Sequence, residues 1–257
     1  MIFPISDDDR HLLKPAWITI GLLIANVVVF LMQLTDPGLT YGWSVIPKEI
    51  VSGQDLVGTA LIKAGGQAVG IPQLPGPTPI YLTIFSAMFM HGGWAHIGGN
   101  MLYLWIFGDN VEHRFGSVKF LLFYLISGIV ATFAQIATNP DSVIPNLGAS
   151  GAISGVLGAY LVLFPRNMVN AIFFFRIVSL PAIFVIGMWA FMQFINGAGS
   201  IAPTAETTGG VAYAAHIGGF VAGVVMGLFA RVGMKNDEPP SVFRRIYEEE
   251  PRVRRYW

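Results

Sequence analysis

Gly148-Ala149-Ser150-Gly151-Ala152-Ile153-Ser154-Gly155 opens an almost unbroken apolar stretch that runs on to Phe164-Pro165. Gly151, Gly155 and Gly158 fall at offsets of four and seven, so they form one stripe on a helix. Small residues at this spacing let helix backbones approach closely inside a membrane. A second stripe, Gly219, Gly223 and Gly227, lies in a later apolar stretch, with His216 three residues before its first member. If the two stripes face each other, Ser150 and His216 meet at one end of the seam. The expected fold is therefore a bundle of packed membrane helices.

The rest of the chain agrees with that reading. Of its 257 residues, 54% are hydrophobic and only 12% charged, against about a quarter charged in soluble domains. Lipid admits only helices and closed barrels, and the alternating segments of a barrel are absent. At about 20 apolar residues per crossing, spans fall near residues 17–35, 94–110, 117–138, 150–165, 177–196 and 211–231. The expected class is all-α: a polytopic membrane protein with a six-transmembrane-helix bundle. With no cysteine there are no disulfides and no thiolate metal sites. No basic stripe points to nucleic acid.

Charge orients the bundle. Arg10 and Lys14 precede the first span, Arg114 and Lys119 lie between the second and third, Arg166 and Arg176 between the fourth and fifth, and Arg231 and Lys235 close the sixth. Only Lys48 and Lys63 occupy the other set of loops, so both termini are expected in the cytoplasm. No small-residue cleavage pattern follows the first span, which is expected to remain uncleaved. Three regions result: a cytoplasmic segment over residues 1–16, a helical domain over 17–232 with a long external first loop at about 37–92, and a charged cytoplasmic tail over 233–257. Trp43, Tyr41 and Tyr81 in that loop suit the headgroup level. Phe173-Phe174-Phe175 is expected to be a lipid-facing or interfacial anchor, followed by a snorkelling Arg176.

Polar groups within apolar spans are costly and mark candidate sites. His96 and Asn100 share one face at the start of the second span, Ser150 opens the fourth, and His216 sits near the start of the sixth. These three spans run in the same sense, so their polar groups fall at one depth below the outer surface. A serine hydroxyl becomes nucleophilic when a neutral imidazole accepts its proton. His96, Asn100 and the backbone N–H of Ser150 are candidate donors to the oxyanion. The N-terminus of the fourth helix adds its positive dipole end. No carboxylate in a span accompanies His216, so a Ser-His dyad is expected, with packing or another hydrogen bond holding the base. Taken singly, each feature has a plainer reading: an N-cap for Ser150, a packed histidine for His216, helix packing for the glycines, and interhelical hydrogen bonds for His96 and Asn100.

The chain resembles the rhomboid family of intramembrane serine proteases. The resemblance rests on His91-x4-His96-x3-Asn100, on the segment from Gly108 to Gly116, on Gly148-Ala149-Ser150-Gly151 and on Ala215-His216-Ile217-Gly218-Gly219-Phe220. It implies a rhomboid-like bundle with Ser150 as nucleophile, His216 as base, and His96 and Asn100 stabilising the oxyanion. It also implies structural parts for His91 and for the Glu112 and Arg114 pair. Gly151, Gly155, Gly219 and Gly223 are expected to admit the helix that carries the base. The chain departs from the family at one position: many relatives place an aromatic four residues after the nucleophile, where this chain has Ser154.

Other classes are weaker. His91, His96 and His113 invite a zinc assignment, but there is no His-Glu-x-x-His motif and His113 belongs at the opposite membrane face. A transporter would show paired discontinuous spans, which the sequence lacks. A client-binding pseudoenzyme is the main alternative, and such a protein is expected to lose the serine or histidine. The expected partners are transmembrane protein substrates and the lipid bilayer, with no nucleic acid, metal or cofactor. The expected location is the cell membrane of a bacterium or archaeon. Water must reach the site, and residues 197–210 and the first loop are the candidate mobile covers.

Overall fold

The computed structural model describes residues 3–8, 12, 14–64, 67–200 and 212–233. In chain order these form β1 (Phe3–Asp7), α1 (Trp17–Thr35), α2 (Pro37–Gly42), α3 (Pro47–Ser52), β2 (Gly58–Ala64) and β3 (Gln67–Gln73). There follow α4 (Thr83–Ser86), flanked by two 3₁₀ turns, then α5 (Trp94–Phe115), α6 (Ser117–Thr138) and α7 (Ser150–Leu163). Strands β4 (Met168–Phe173) and β5 (Arg176–Pro181) lead to α8 (Ala182–Ser200) and α9 (Tyr213–Gly233). The tail beyond Gly233, and most of the cover expected at residues 197–210, lie outside the described residues.

The protein is mostly helical, and it is an integral membrane protein. Among the described residues α1, α6 and α9 are each long and apolar enough to cross a bilayer. The core of the bundle is α7, ten of whose 14 residues are buried. At 1.5 Å per residue α7 rises about 21 Å, short of a hydrocarbon core of about 30 Å. Enclosed by its neighbours, it needs neither the length nor the lipid-facing surface of an outer helix.

Small residues set the packing. A Cβ on Gly219 would strike the carbonyl oxygen of Gly151, and one on Gly223 that of Gly155. On the other side of α7, a Cβ on Gly151 would lie 2.6 Å from the Ala131 methyl of α6. Helices α6, α7 and α9 therefore meet almost backbone to backbone. Gly116, at φ +77°, is the single residue between α5 and α6 and turns the chain sharply there.

Two hydrogen-bonded anchors fix the remaining elements. The first four N–H groups of a helix lack partners within it; α1 has no side-chain cap of its own, and Glu112 of α5 supplies one. Its carboxylate accepts from the amides of Ile18 (3.0 Å) and Thr19 (2.7 Å) and from the hydroxyls of Thr19 (2.8 Å) and Ser117 (2.7 Å). At the far end of α7 the Tyr160 hydroxyl donates to Asp7 of β1, which also accepts from Asn110 at 2.9 Å.

The all-α expectation needs one correction. The described residues include two small sheets, β1-β4-β5 and the hairpin β2-β3. Helix α8, expected as a span over 177–196, accordingly starts at Ala182, because residues 176–181 pair with β4. The hairpin turn is made by Phe174 and Phe175, both in the left-handed region at φ +43° and +65°. Non-glycine residues are strained there, and the turn leaves the Phe175 ring almost wholly exposed while Phe174 packs on Phe173 at 4.6 Å.

The first loop carries secondary structure of its own, α2, α3, β2, β3 and α4. Its helix α3 buries Glu49, whose carboxylate accepts from the Leu56 amide at 2.9 Å. Burial, and secondarily the charge of Asp55, push this carboxyl from 4.5 up to about 7, against the opposing effect of the Leu56 bond. The folded state thus holds a proton that the unfolded chain releases, and stability falls as pH rises from 4.5 through about 7. Glu49→Gln keeps the acceptor without the charge. Its thermal midpoint in detergent is expected to exceed that of the parent at pH 8 and to converge with it near pH 4.5.

Candidate active site

Ser150 is the first residue of α7, and its hydroxyl does not cap the helix. It lies 2.8 Å from Nε2 of His216, which sits in the first turn of α9. The glycine seam makes this approach possible: with Gly219 on Gly151 and Gly223 on Gly155, the starts of the two helices stand side by side. Gln135 of α6 holds the start of α9, accepting from the Ala215 amide at 3.2 Å.

The segment before Ser150 is tied to the first loop. Val45 and Asn146 exchange backbone hydrogen bonds at 3.0 and 2.7 Å, and the Gly148 amide donates to Ala87 at 2.8 Å. Gly148 is at φ +131°, and a Cβ there would lie 2.9 Å from His96 Nε2 and 3.5 Å from Ser150 Oγ. Only glycine meets both the backbone and the space requirement at this position.

His96 is set up as a donor. Its Nδ1 accepts from the Gly92 amide at 3.2 Å, which places the ring proton of the neutral side chain on Nε2, the atom that lies against Gly148. Asn100 lies one turn along the same helix face, buried, and its Nδ2 has no hydrogen-bond partner among the described residues. Buried donors are nearly always paired, so this one is free to take a partner from outside the described residues. A cavity of about 50 Å³ adjoins Ser150, lined by Met88, Gly128, Ala131, Asn146 and Gly148 among others.

His91 is near the site without entering it. Its backbone exchanges two bonds with the Gln33 carboxamide of α1, at 2.9 and 3.2 Å, and its ring packs edge-on against Phe30 and His96. Burial, and secondarily His96, lower its pKa to about 4, so it is neutral. His113 contacts the carbonyls of Asp109 and Lys14, about 25 Å along α5 from His96.

Ser154, the position at which the sequence departs from the family it resembles, turns back on its own helix and donates to the Ser150 carbonyl at 2.6 Å. The surroundings of His216 come from elsewhere. Trp189 of α8 and Tyr213 of α9 stand 6.1 and 6.5 Å from its ring centroid, and Gln193 Oε1 lies 2.8 Å from its Nδ1. Gln193 was missed in the sequence, although an amide within an apolar span is itself a signal.

Residues 80–232 match the family model of the Rhomboid domain. Rhomboid protein 1, mitochondrial, of Saccharomyces cerevisiae is 33% identical over 153 residues, covering 58% of this chain and 41% of that protein. Rhomboid protease GluP of Bacillus subtilis is 36% identical over 151 residues, covering 56% and 26%. Putative rhomboid protease YdcA, also of Bacillus subtilis, is 32% identical over 115 residues, covering 44% and 55%. The chain thus spans between 26% and 55% of the length of these relatives.

Proposed function

We propose that this chain, which belongs to the rhomboid family, is an intramembrane serine endopeptidase that cuts membrane proteins in or near their transmembrane helices. The observation that carries the reading is the 2.8 Å bond between Ser150 Oγ and His216 Nε2. A pseudoenzyme that only binds clients has no use for a serine so paired.

The chemistry follows from the atoms in place. As Ser150 Oγ bonds to the scissile carbonyl carbon, its proton passes to His216 Nε2. The carbonyl oxygen gains charge, and His96 Nε2–H, Asn100 Nδ2–H and the Ser150 amide are the proposed donors to it. Collapse breaks the C–N bond, and His216 returns the proton to the leaving amine. Water then attacks the acyl carbon and gives a proton to His216, and the bond from that carbon to Ser150 Oγ breaks as His216 returns the proton to Oγ. The cavity beside Ser150 has room for a small side chain. The substrate helix must unwind locally, because its backbone bonds otherwise occupy the carbonyl to be attacked, so helix-breaking and small residues are the preferred context.

Six crossings, α1 and α5 to α9, with both termini cytoplasmic, put the start of α7 towards the outer face. A 14-residue α7 then leaves Ser150 below that surface, within reach of water entering from outside. In this reading residues 17–232 are the catalytic domain, residues 1–16 and 233–257 are cytoplasmic, and the first loop is external. The Bacillus relatives support the cell membrane of a bacterium or archaeon as its location, while the yeast relative is a mitochondrial protein.

The test is cleavage of a single-span substrate co-reconstituted in liposomes, with products mapped by mass spectrometry. The reading expects a cut at or just inside the outer end of the span, and an intact substrate would count against it. Asn100→Ala is expected to lower kcat about 10²-fold with little change in KM, the signature of a donor used in the transition state. A KM effect alone would place Asn100 in substrate binding instead.

A further inference from the structure

We propose that Gln193 is the positioning residue of the base: its carboxamide oxygen fixes the tautomer and ring plane of His216, making α8 a third partner in an arrangement carried by α7 and α9. The inference rests on the Ser150–His216 reading and adds to it the group that readies the base.

A neutral imidazole has one N–H, and it accepts the serine proton at Nε2 only when that N–H is on Nδ1. The two ring nitrogens of His216 are both engaged, Nε2 with Ser150 Oγ at 2.8 Å and Nδ1 with Gln193 Oε1 at 2.8 Å. A carboxamide oxygen accepts but does not donate. With Oε1 facing Nδ1, the bond exists only in the tautomer that leaves Nε2 bare. Trp189 and Tyr213 confine the ring plane, but their rings make no such choice between nitrogens.

A second observation comes from α8 itself. Phe191, Met192, Phe194 and Ile195 around Gln193 are exposed apolar side chains. An amide among them is costly in lipid unless it is paired, and His216 is its partner. Trp189, Gln193 and Gly197 recur every four residues and form the face that α8 turns to α9. Trp189 packs on Phe220 at 5.9 Å, and a Cβ on Gly197 would lie 3.0 Å from Ile217 and 3.3 Å from Tyr213. Gln193 sits at the centre of that contact. Any displacement of α8 away from α9 lengthens the Nδ1 bond, so the readiness of the base depends on where α8 sits.

Gln193→Leu removes the acceptor at nearly constant size, and Gln193→Glu restores an oxygen in its place. The leucine variant is expected to lower kcat and the rate of fluorophosphonate labelling at Ser150 together, by about 10-fold to 100-fold, with KM within about twofold of the parent. The glutamate variant should recover most of that loss. Nitrogen-15 shifts of the His216 ring should report Nδ1–H in the parent and a tautomer mixture in Gln193→Leu. Unchanged kcat and an unchanged tautomer in the leucine variant would overturn the inference, as would a parent ring protonated at Nε2. Failure of the catalytic reading looks different: Ser150 stays unlabelled in a parent ring protonated at Nδ1.

Discussion

Ser150→Ala is expected to lose cleavage of a reconstituted transmembrane substrate by at least about 10⁴-fold, as removal of the nucleophile does in serine hydrolases. Its effect on folding should be small. The Ser150 hydroxyl does not cap α7, so no helix end loses a partner. What is lost is one hydrogen bond to His216, about 1 kcal/mol in a typical case. Cleavage rate and thermal midpoint, measured on the same preparation, should therefore separate. Cleavage that persists in the alanine variant would remove Ser150 from the chemistry. A variant that fails to fold would give the hydroxyl a structural part that its single contact does not suggest.

Gly223→Ala is expected to have the second largest effect, and to act on fold and activity together. The added methyl would lie 2.6 Å from the Gly155 carbonyl carbon and 2.7 Å from its Cα, with the carbonyl oxygen closer still. These are backbone atoms of a buried helix, with no side chain to swing aside. The helices must separate, at about 3 kcal/mol for overpacking of this kind. Ser150 and His216 stand on the two helices being forced apart, so activity should fall even in the fraction that remains folded. Gly187→Ala on α8 is the matched control, since nothing lies within 4 Å of a Cβ there. Its midpoint should hold or rise, in line with the better helix propensity of alanine. Equal behaviour of the two variants would mean that the α7–α9 seam is looser than its geometry.

The helical frame was legible because lipid makes it so. Apolar length and glycine spacing locate α1, α6 and α9 within two residues of their observed ends. The sheets were not legible for the same reason. Met168 to Pro181 is apolar enough to pass for the approach to a span, and its turn is built from two phenylalanines where glycine or asparagine is the usual signal. Strand β1 depends on pairing with β4, more than 160 residues away, which no local pattern encodes. The hairpin β2-β3 did carry a signal, Gly65-Gly66 between two seven-residue runs, but it lay within a long loop read only for its composition.

The site divides along similar lines. Ser150 and His216 could be placed together because each begins a glycine stripe, and the stripes fix both distance and level. His96 and Asn100 share a face by their spacing alone. Gln193 is different. Its role depends on the rotation of α8 about its own axis and on the phase of α9, neither of which follows from hydrophobicity. The absence of an aromatic at Ser154 left two readings open, a base held by another group or a base less well fixed, and the sequence does not choose between them. Ser154 itself is satisfied by the carbonyl one turn back.

The central claim is that His216 activates Ser150. Labelling of the purified protein with a fluorophosphonate tests it most directly, because the probe reacts with a serine whose proton has a base to accept it. The expected result is a modified peptide containing Ser150 in the parent protein and no modification above background in His216→Ala. Labelling of Ser150 at the full rate in His216→Ala would contradict the account.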